Sequence, residues 1–225
     1  MLLEHLRKEI AELGRTMVRD GLAHNGQGNI SAFDRKKGLV AITPSAVPYG
    51  ERAPEDICVV EPNGELVEGN WKPTSENALH LTFYRCRSDV RAVVHTHPPY
   101  ATVFGIIGAD AMPVVLNEAA MGLGGPLPVA PYARPGTQEL ADVTCAAAGD
   151  GVGAIMAHHG LVTVGDDLAA AYMSTQSAET TAHTIILARS MGEQVVQIAQ
   201  DEAQALRKIY LTSYAAQPVD PSNPD

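Results

Sequence analysis

The chain has 225 residues and carries 16 basic against 26 acidic side chains, a formal net charge of −10 at pH 7. That length is enough for one large domain with a sizeable core, and the charge argues against nucleic acid or an anionic membrane surface as principal partner. Cys58, Cys86 and Cys145 are few, odd in number and far apart, which fits reduced packing residues of a cytoplasmic protein better than a disulfide framework or thiolate ligands.

No uncharged run approaches the length of a membrane span. Charges at Glu4, Arg7 and Lys8 interrupt any leader-like start, so secretion is not expected. Leu2, Leu3, Leu6, Ile10, Leu13, Met17 and Val18 recur at helical spacing and predict an amphipathic helix over 2–20, stopped near Gly21. The following stretch, His24 to Ser31, is too rich in glycine for a helix. Gly26 and Gly28 let backbone N–H groups converge on an anion, with Asn29 and Ser31 adding side-chain donors. An ordinary loop entering a strand at Ile30 fits the same residues.

Leu39 to Thr43 reads as a strand ended by Pro44, with Ser45 and Ala46 exposed just beyond it. Residues 57–60 and 65–68 flank Pro62-Asn63-Gly64, a strong hairpin signal. Lys72-Pro73-Thr74-Ser75 precedes a helix opened by Glu76, and Thr74 or Ser75 is placed to cap it. Amides and hydroxyls at a helix start also suit a phosphate, and the two roles can coexist. An acidic residue such as Glu76 is favoured there by the helix dipole alone.

The stretch Arg91 to Thr102 organises the rest. Val93 and Val94 lead into His95-Thr96-His97, and Pro98-Pro99 stops the run. This reads as a buried strand ending at a turn. Residues i and i+2 of a strand share a face, so the two imidazoles form a pincer for a divalent cation, most often zinc. Residues 101–107 begin a helix, residues 112–118 approach the glycine-rich Gly122-Leu123-Gly124-Gly125, and residues 127–132 read as an edge strand. Gly136-Thr137 caps a helix to about Ala148. A second apolar run, Val152 to Met156, then ends in His158-His159 and supplies a third imidazole. After Leu161 to Val164, Asp166 caps a long helix over 167–191 in which Glu179 and His183, at i and i+4, read as a local pair. A last helix is expected over 193–211, and the chain as a single domain over 1–225 with 216–225 a tail. Strands and helices interleave, yet hairpins also occur. The expectation is a layered α/β sandwich with a mixed, mostly antiparallel sheet.

Three histidines plus a carboxylate can hold a cation that still accepts substrate oxygens. Rival HxH folds fit poorly. A cupin wants a glutamate shortly after the second histidine, where Pro98-Pro99-Tyr100-Ala101 stands, and an amidohydrolase barrel wants a longer chain.

Taken in order, Gly28-Asn29-Ile30-Ser31, Ile42-Thr43-Pro44-Ser45, Ser75-Glu76, Val94-His95-Thr96-His97, Ala130-Pro131-Tyr132-Ala133 with Gly136-Thr137, and His158-His159-Gly160 resemble the class II sugar-phosphate aldolase/epimerase family over about residues 5–190. The resemblance implies a three-layer α/β/α fold, a C4 homotetramer and a zinc ion at a cleft between subunits. It places the metal histidines at His95, His97 and His159, with Glu76 beside them. It places the substrate phosphate at Gly28, Asn29, Ser45, Ala46, Thr74 and Ser75. Glu76 matches the aldolase branch, whereas epimerases carry aspartate at that position. Glu118 stands where the fuculose-type aldolases have a tyrosine, and the family's C-terminal tyrosine corresponds to Tyr214 or Tyr210.

The implied activity is reversible cleavage of a ketose 1-phosphate, such as L-fuculose 1-phosphate, to dihydroxyacetone phosphate and an aldehyde through a metal-stabilised enediolate. Catalysis would rest on Glu76, Glu118 and Tyr214. The same resemblance leaves open a pentulose-phosphate 4-epimerase, a methylthioribulose-phosphate dehydratase, a keto-acid phosphate decarboxylase, or a non-catalytic scaffold of the adducin sort. Retention of His95, His97, His159 and Glu76 counts against the scaffold.

Overall fold

The computed structural model describes residues 1–214 apart from Asn25 and Ala46, and the side chain of Tyr214 also lies outside the described set. The expected tail at 216–225 and the expected phosphate contact at Ala46 therefore fall outside the described residues. The strands are β1 (Asn29–Asp34), β2 (Leu39–Ile42), β3 (Cys58–Val60), β4 (Leu66–Glu68), β5 (Ala92–Thr96), β6 (Ala111–Met112), β7 (Leu127–Ala130), β8 (Gly153–Met156) and β9 (Gly160–Gly165). They form one sheet in the order β4-β3-β2-β1-β5-β9-β8-β7-β6. The β7–β8 pair is parallel and the other pairs are antiparallel. The mixed, mostly antiparallel sheet is thus as expected, and β5 with its histidines lies near its middle.

Helices α1 (Glu4–Arg19), α2 (Asn77–Cys86), α3 (Pro99–Phe104), α4 (Asn117–Leu123), α5 (Gln138–Ala148), α6 (Leu168–Ser190) and α7 (Gln200–Ile209) cover the two faces. Side chains alternate across a strand, so each strand feeds two cores. On β5, Val93 packs with Leu79, Phe83 and Leu140 of α2 and α5. Its neighbours Ala92 and Val94 pack with Ile10 and Met17 of α1 and with Ala171 of α6. A third cluster joins α3, α4, α6 and α7 around Phe104, Ile155 and Ile185. The result is a three-layer α/β/α sandwich in which His95, in register with Val93, belongs to the α2 side.

Several local expectations shift. Residues 127–130 are not an edge strand, because β7 lies between β8 and the two-residue β6, which takes the edge. Polarity alone could not distinguish a short edge strand from its neighbour. Helix α6 is capped by Asp167, whose side chain accepts from the Ala170 N–H at 2.7 Å, rather than by Asp166. The last helix starts at Gln200, later than expected. Glu179 accepts the N–H groups of Tyr100 (3.0 Å) and Ala101 (2.8 Å), capping α3, while His183 stacks on Tyr100. That tertiary use of Glu179 satisfies the free donors of a helix start. No described helix is long and apolar enough to cross a membrane.

Candidate metal centre and active site

Four segments converge at the end of β5. The β1–β5 register sets Asn29 opposite His95, and the β5–β9 register sets His95 opposite Val162. His97 lies one step beyond the strand, its N–H donating to the Leu22 carbonyl at 3.2 Å. His159 comes from the turn between β8 and β9, where His158 takes a left-handed backbone (φ 57°) and stays exposed. The ring of His158 sits edge-on to Tyr132, away from the cluster partners of His159. Glu76 immediately precedes α2 and is buried.

Two glycines make this convergence possible. A Cβ on Gly28, whose φ is +79°, would sit 2.6 Å from the His95 carbonyl oxygen. A Cβ on Gly160 would sit 2.4 Å from the Thr96 carbonyl oxygen and 3.3 Å from the His95 ring. Real Cβ atoms do not approach backbone that closely.

The three rings lie with centroids 4.8 Å (His95–His97), 4.8 Å (His95–His159) and 5.1 Å (His97–His159) apart. One nitrogen from each can be chosen so that all three lie within 4.8 Å of one another. His95 Nδ1 is 2.9 Å from the Leu161 carbonyl oxygen, which can only accept, so Nδ1 carries the proton. In the neutral ring Nε2 then holds a lone pair, and it faces His97 Nε2 at 3.1 Å and Glu76 Oε2 at 3.2 Å. Lone pairs and a carboxylate aimed at one another require positive charge between them. Glu76 Oε1 accepts no hydrogen bond among the described residues, and its neighbour is His159 Nε2 at 3.4 Å. This donor set fits a divalent cation held by His95, His97 and His159, with Glu76 at its side.

The electrostatics agree. Burial, reinforced by the nearness of His95, lowers His97 to about 3 and His159 to about 4. Both are neutral near pH 7, as metal ligands must be. Burial alone would raise the Glu76 carboxyl, but positive charge at the His95 side of the cluster and the hydrogen bond from Asn29 hold it well below the usual carboxylate range.

The sites expected for phosphate are also brought together. An isolated bridge pairs Pro44 with Pro73, the Thr74 N–H donates to the Thr43 carbonyl (3.0 Å), and the Ser45 N–H donates to the Lys72 carbonyl (2.9 Å). Thr43 Oγ1 in turn accepts from the Ile30 N–H at 3.1 Å, tying in the Gly28-Asn29 corner. Thr74 does not cap α2 in the expected position. Glu76 itself takes the N-cap position without a side-chain capping bond, and Thr74 Oγ1 accepts the Glu76 N–H at 3.3 Å. Ser75 is exposed. Asn29, by contrast, spends its side-chain amide inward, on Glu76 Oε2 (2.9 Å) and His80 Nε2 (2.5 Å).

Glu118 lies exposed in the first turn of α4, lining a cavity with Met173 and Gln176 of α6. Tyr214 ends a short π-helical turn after α7, and its side chain is outside the described residues. Sequence reasoning missed His80 and Tyr84. Their signal was spacing: Glu76, His80 and Tyr84 are four apart and share one helix face.

A nine-stranded mixed sheet between helical layers, with three histidines and a carboxylate at one strand end, defines a metal-dependent enzyme of the class II aldolase type. The family described as "Class II Aldolase and Adducin N-terminal domain" matches residues 8–186, and the chain belongs to it. It is 38% identical over 208 residues to the 5-deoxy-D-ribulose 1-phosphate aldolase of Bacillus thuringiensis serovar kurstaki, covering 92% of this chain and 96% of that one. Among solved structures it resembles an L-fuculose 1-phosphate aldolase with a TM-score of 0.87 and 32% identity, over 92% and 96% of the two chains. It also resembles the L-fuculose-1-phosphate aldolase of Thermus thermophilus, with a TM-score of 0.74 and 26% identity over 85% and 98%.

Proposed function

We propose that the chain is a zinc-dependent, cytoplasmic sugar-phosphate aldolase that cleaves a ketose 1-phosphate reversibly to dihydroxyacetone phosphate and a short aldehyde. The observation that carries this reading is the buried Glu76 carboxylate, whose Oε1 accepts no hydrogen bond among the described residues and lies beside three converging imidazoles. His95, His97 and His159 would hold the zinc, which would supply positive charge to stabilise the negative charge that develops on the substrate oxygens. In the cleavage direction the bond between C3 and C4 breaks and its electron pair remains on the three-carbon phosphate fragment. In the condensation direction the Glu76 carboxylate removes a proton from C3; in cleavage it takes a proton up from solvent and passes it to C3, which balances the C4 hydroxyl proton released as the aldehyde forms.

The C4 hydroxyl proton must leave as the aldehyde forms, and Glu118 and Tyr214 are the groups assigned to that exchange. Gly28, Asn29, Ser45, Ala46, Thr74 and Ser75 hold the phosphate, so that binding energy remote from the reacting bond positions the substrate. The closeness of the Ser45 and Thr74 segments supports that cradle. A homotetramer completes the cleft in this reading, which rests on the family resemblance.

The names carried by the relatives put 5-deoxy-D-ribulose 1-phosphate and L-fuculose 1-phosphate first in a substrate panel. The test is to incubate zinc-loaded protein with ketose 1- and 5-phosphates and to assay released dihydroxyacetone phosphate. Release from a 1-phosphate is expected. Isomerisation of a 5-phosphate with no three-carbon product would overturn the aldolase reading in favour of an epimerase.

A further inference from the structure

Behind Glu76 runs a file of buried polar groups of which the proposed reaction uses only Asn29, at the phosphate corner. Asn29 (4% exposed), His80 (0%), Ser31 (0%) and Tyr84 (4%) sit between β1 and α2, beneath the histidine cluster. The contacts are Glu76 Oε2 to Asn29 Nδ2 at 2.9 Å, Asn29 Oδ1 to His80 Nε2 at 2.5 Å, His80 Nδ1 to Ser31 Oγ at 2.7 Å, and Ser31 Oγ to Tyr84 OH at 2.6 Å.

Elementary donor and acceptor chemistry fixes the direction of every link. A carboxylate only accepts, so the Asn29 NH₂ must face Glu76. The Asn29 carbonyl oxygen therefore faces His80, and His80 must carry its proton on Nε2. Burial lowers the His80 pKa to about 3, so the ring is neutral and Nδ1 is an acceptor. Ser31 donates to Nδ1, and Tyr84 donates to the Ser31 oxygen. The run has one polarity from Tyr84 to Glu76, and reversing any member would set two donors or two acceptors face to face in the core. A buried donor or acceptor left without a partner is costly, so one arrangement dominates.

We infer that His80, with Ser31 and Tyr84 behind it, is a positioning device: it locks the Asn29 amide so that Glu76 Oε2 is held as an acceptor and Oε1 is presented to the substrate. The inference rests on Glu76 being the proton carrier. It assigns the side chain of Asn29 to orienting Glu76, leaving the backbone of the Gly28-Asn29 corner for phosphate.

The test uses zinc-loaded full-length protein and the best ketose phosphate. His80→Leu removes the donor to Asn29, whereas His80→Gln keeps an N–H in its place. The expected result is a 10- to 100-fold fall in kcat for His80→Leu with KM and zinc content unchanged, and recovery of most of it in His80→Gln, since supporting groups around such centres carry about that much. Ser31→Ala, which deletes the donor to His80 Nδ1 and loosens the ring behind Asn29, provides a comparison in the same direction where His80→Leu does not fold. Independently of activity, nitrogen-15 spectra of histidine-labelled protein should show His80 as the Nε2–H tautomer, in the wild type and in Ser31→Ala alike, because the Asn29 carbonyl oxygen still accepts from Nε2; the Nδ1–H tautomer in the wild type would overturn the inference. Unchanged kcat in a folded, zinc-loaded His80→Leu overturns the inference, as does a rise in KM alone or loss of zinc. Full activity of Glu76→Gln would instead overturn the proton-carrier reading on which it rests.

Discussion

His95 Nδ1 and the Leu161 carbonyl oxygen lie 2.9 Å apart, and this contact decides which face of the imidazole meets the cluster. Leu161 lies on β9, the strand paired with β5, so the sheet itself sets the tautomer of His95. His97 has no such strand around it and depends on the turn after β5.

Metal binding follows from this asymmetry. The purified protein should hold about one divalent ion per chain. His97→Ala should lose most of it while the fold persists, because His97 lies past the last strand residue. Elemental analysis beside a melting curve checks both. Full occupancy in that variant would remove His97 from the ligand set.

Glu76→Gln preserves shape and removes the carboxylate. Turnover should fall by about 10²- to 10⁴-fold, as expected for loss of a general acid–base group. Zinc should largely remain, since three imidazoles still hold it. If Glu76 only favoured the start of α2, the change would cost about 1 kcal/mol or less and leave turnover nearly intact.

The metal-free protein should lose stability on acidification. His80, His97 and His159 have folded pKa values lowered to about 3, 3 and 4, below the ordinary 6.5. Between those values and 6.5 the unfolded chain binds more protons than the folded one, so stability rises with pH across that window. It falls on going from pH 7 toward pH 4. His80 alone, fully buried, should cost about 2 kcal/mol at pH 5 relative to pH 8. Denaturant melts of chelator-treated protein at the two pH values measure it, and a flat profile would contradict the neutral, buried state of these rings.

Gly160→Ala should destabilise the protein by about 1–3 kcal/mol through overpacking. The added methyl would meet the Thr96 carbonyl at 2.4 Å, a backbone atom that cannot swing aside. The substitution should also weaken metal binding, because it pushes the turn carrying His159 away from β5. Wild-type stability and metal content in this variant would show that the two strands can separate freely there.

Light scattering should give a tetramer. A fully active monomer would show that one chain completes its own site.

Local chemistry made the HxH pincer, the Pro62-Asn63-Gly64 hairpin and the helix capped by Thr137 legible in the sequence, because period-2 alternation, turn residues and caps act over a few residues. The hairpin joins β3 to β4, and Thr137 Oγ1 accepts the Leu140 N–H at 3.2 Å, as the residue types demand. The order of the metal-site motifs likewise identified the family before any geometry. What tertiary structure alone decided lies in relations between distant segments. Pairing of β1 with β5 turned Asn29 from a loop donor into a partner of Glu76, and packing of α6 on α3 turned Glu179 from one half of a helix pair into a cap. Even so, part of the buried file was latent in spacing. Asn29 and Ser31 alternate on one strand face, and Glu76, His80 and Tyr84 repeat on one helix face. Periodicity says which side chains share a face, but only the packing of α2 against β1 says that the two faces meet. A buried amide then takes the partners that leave no donor or acceptor unpaired, and that choice is made in three dimensions.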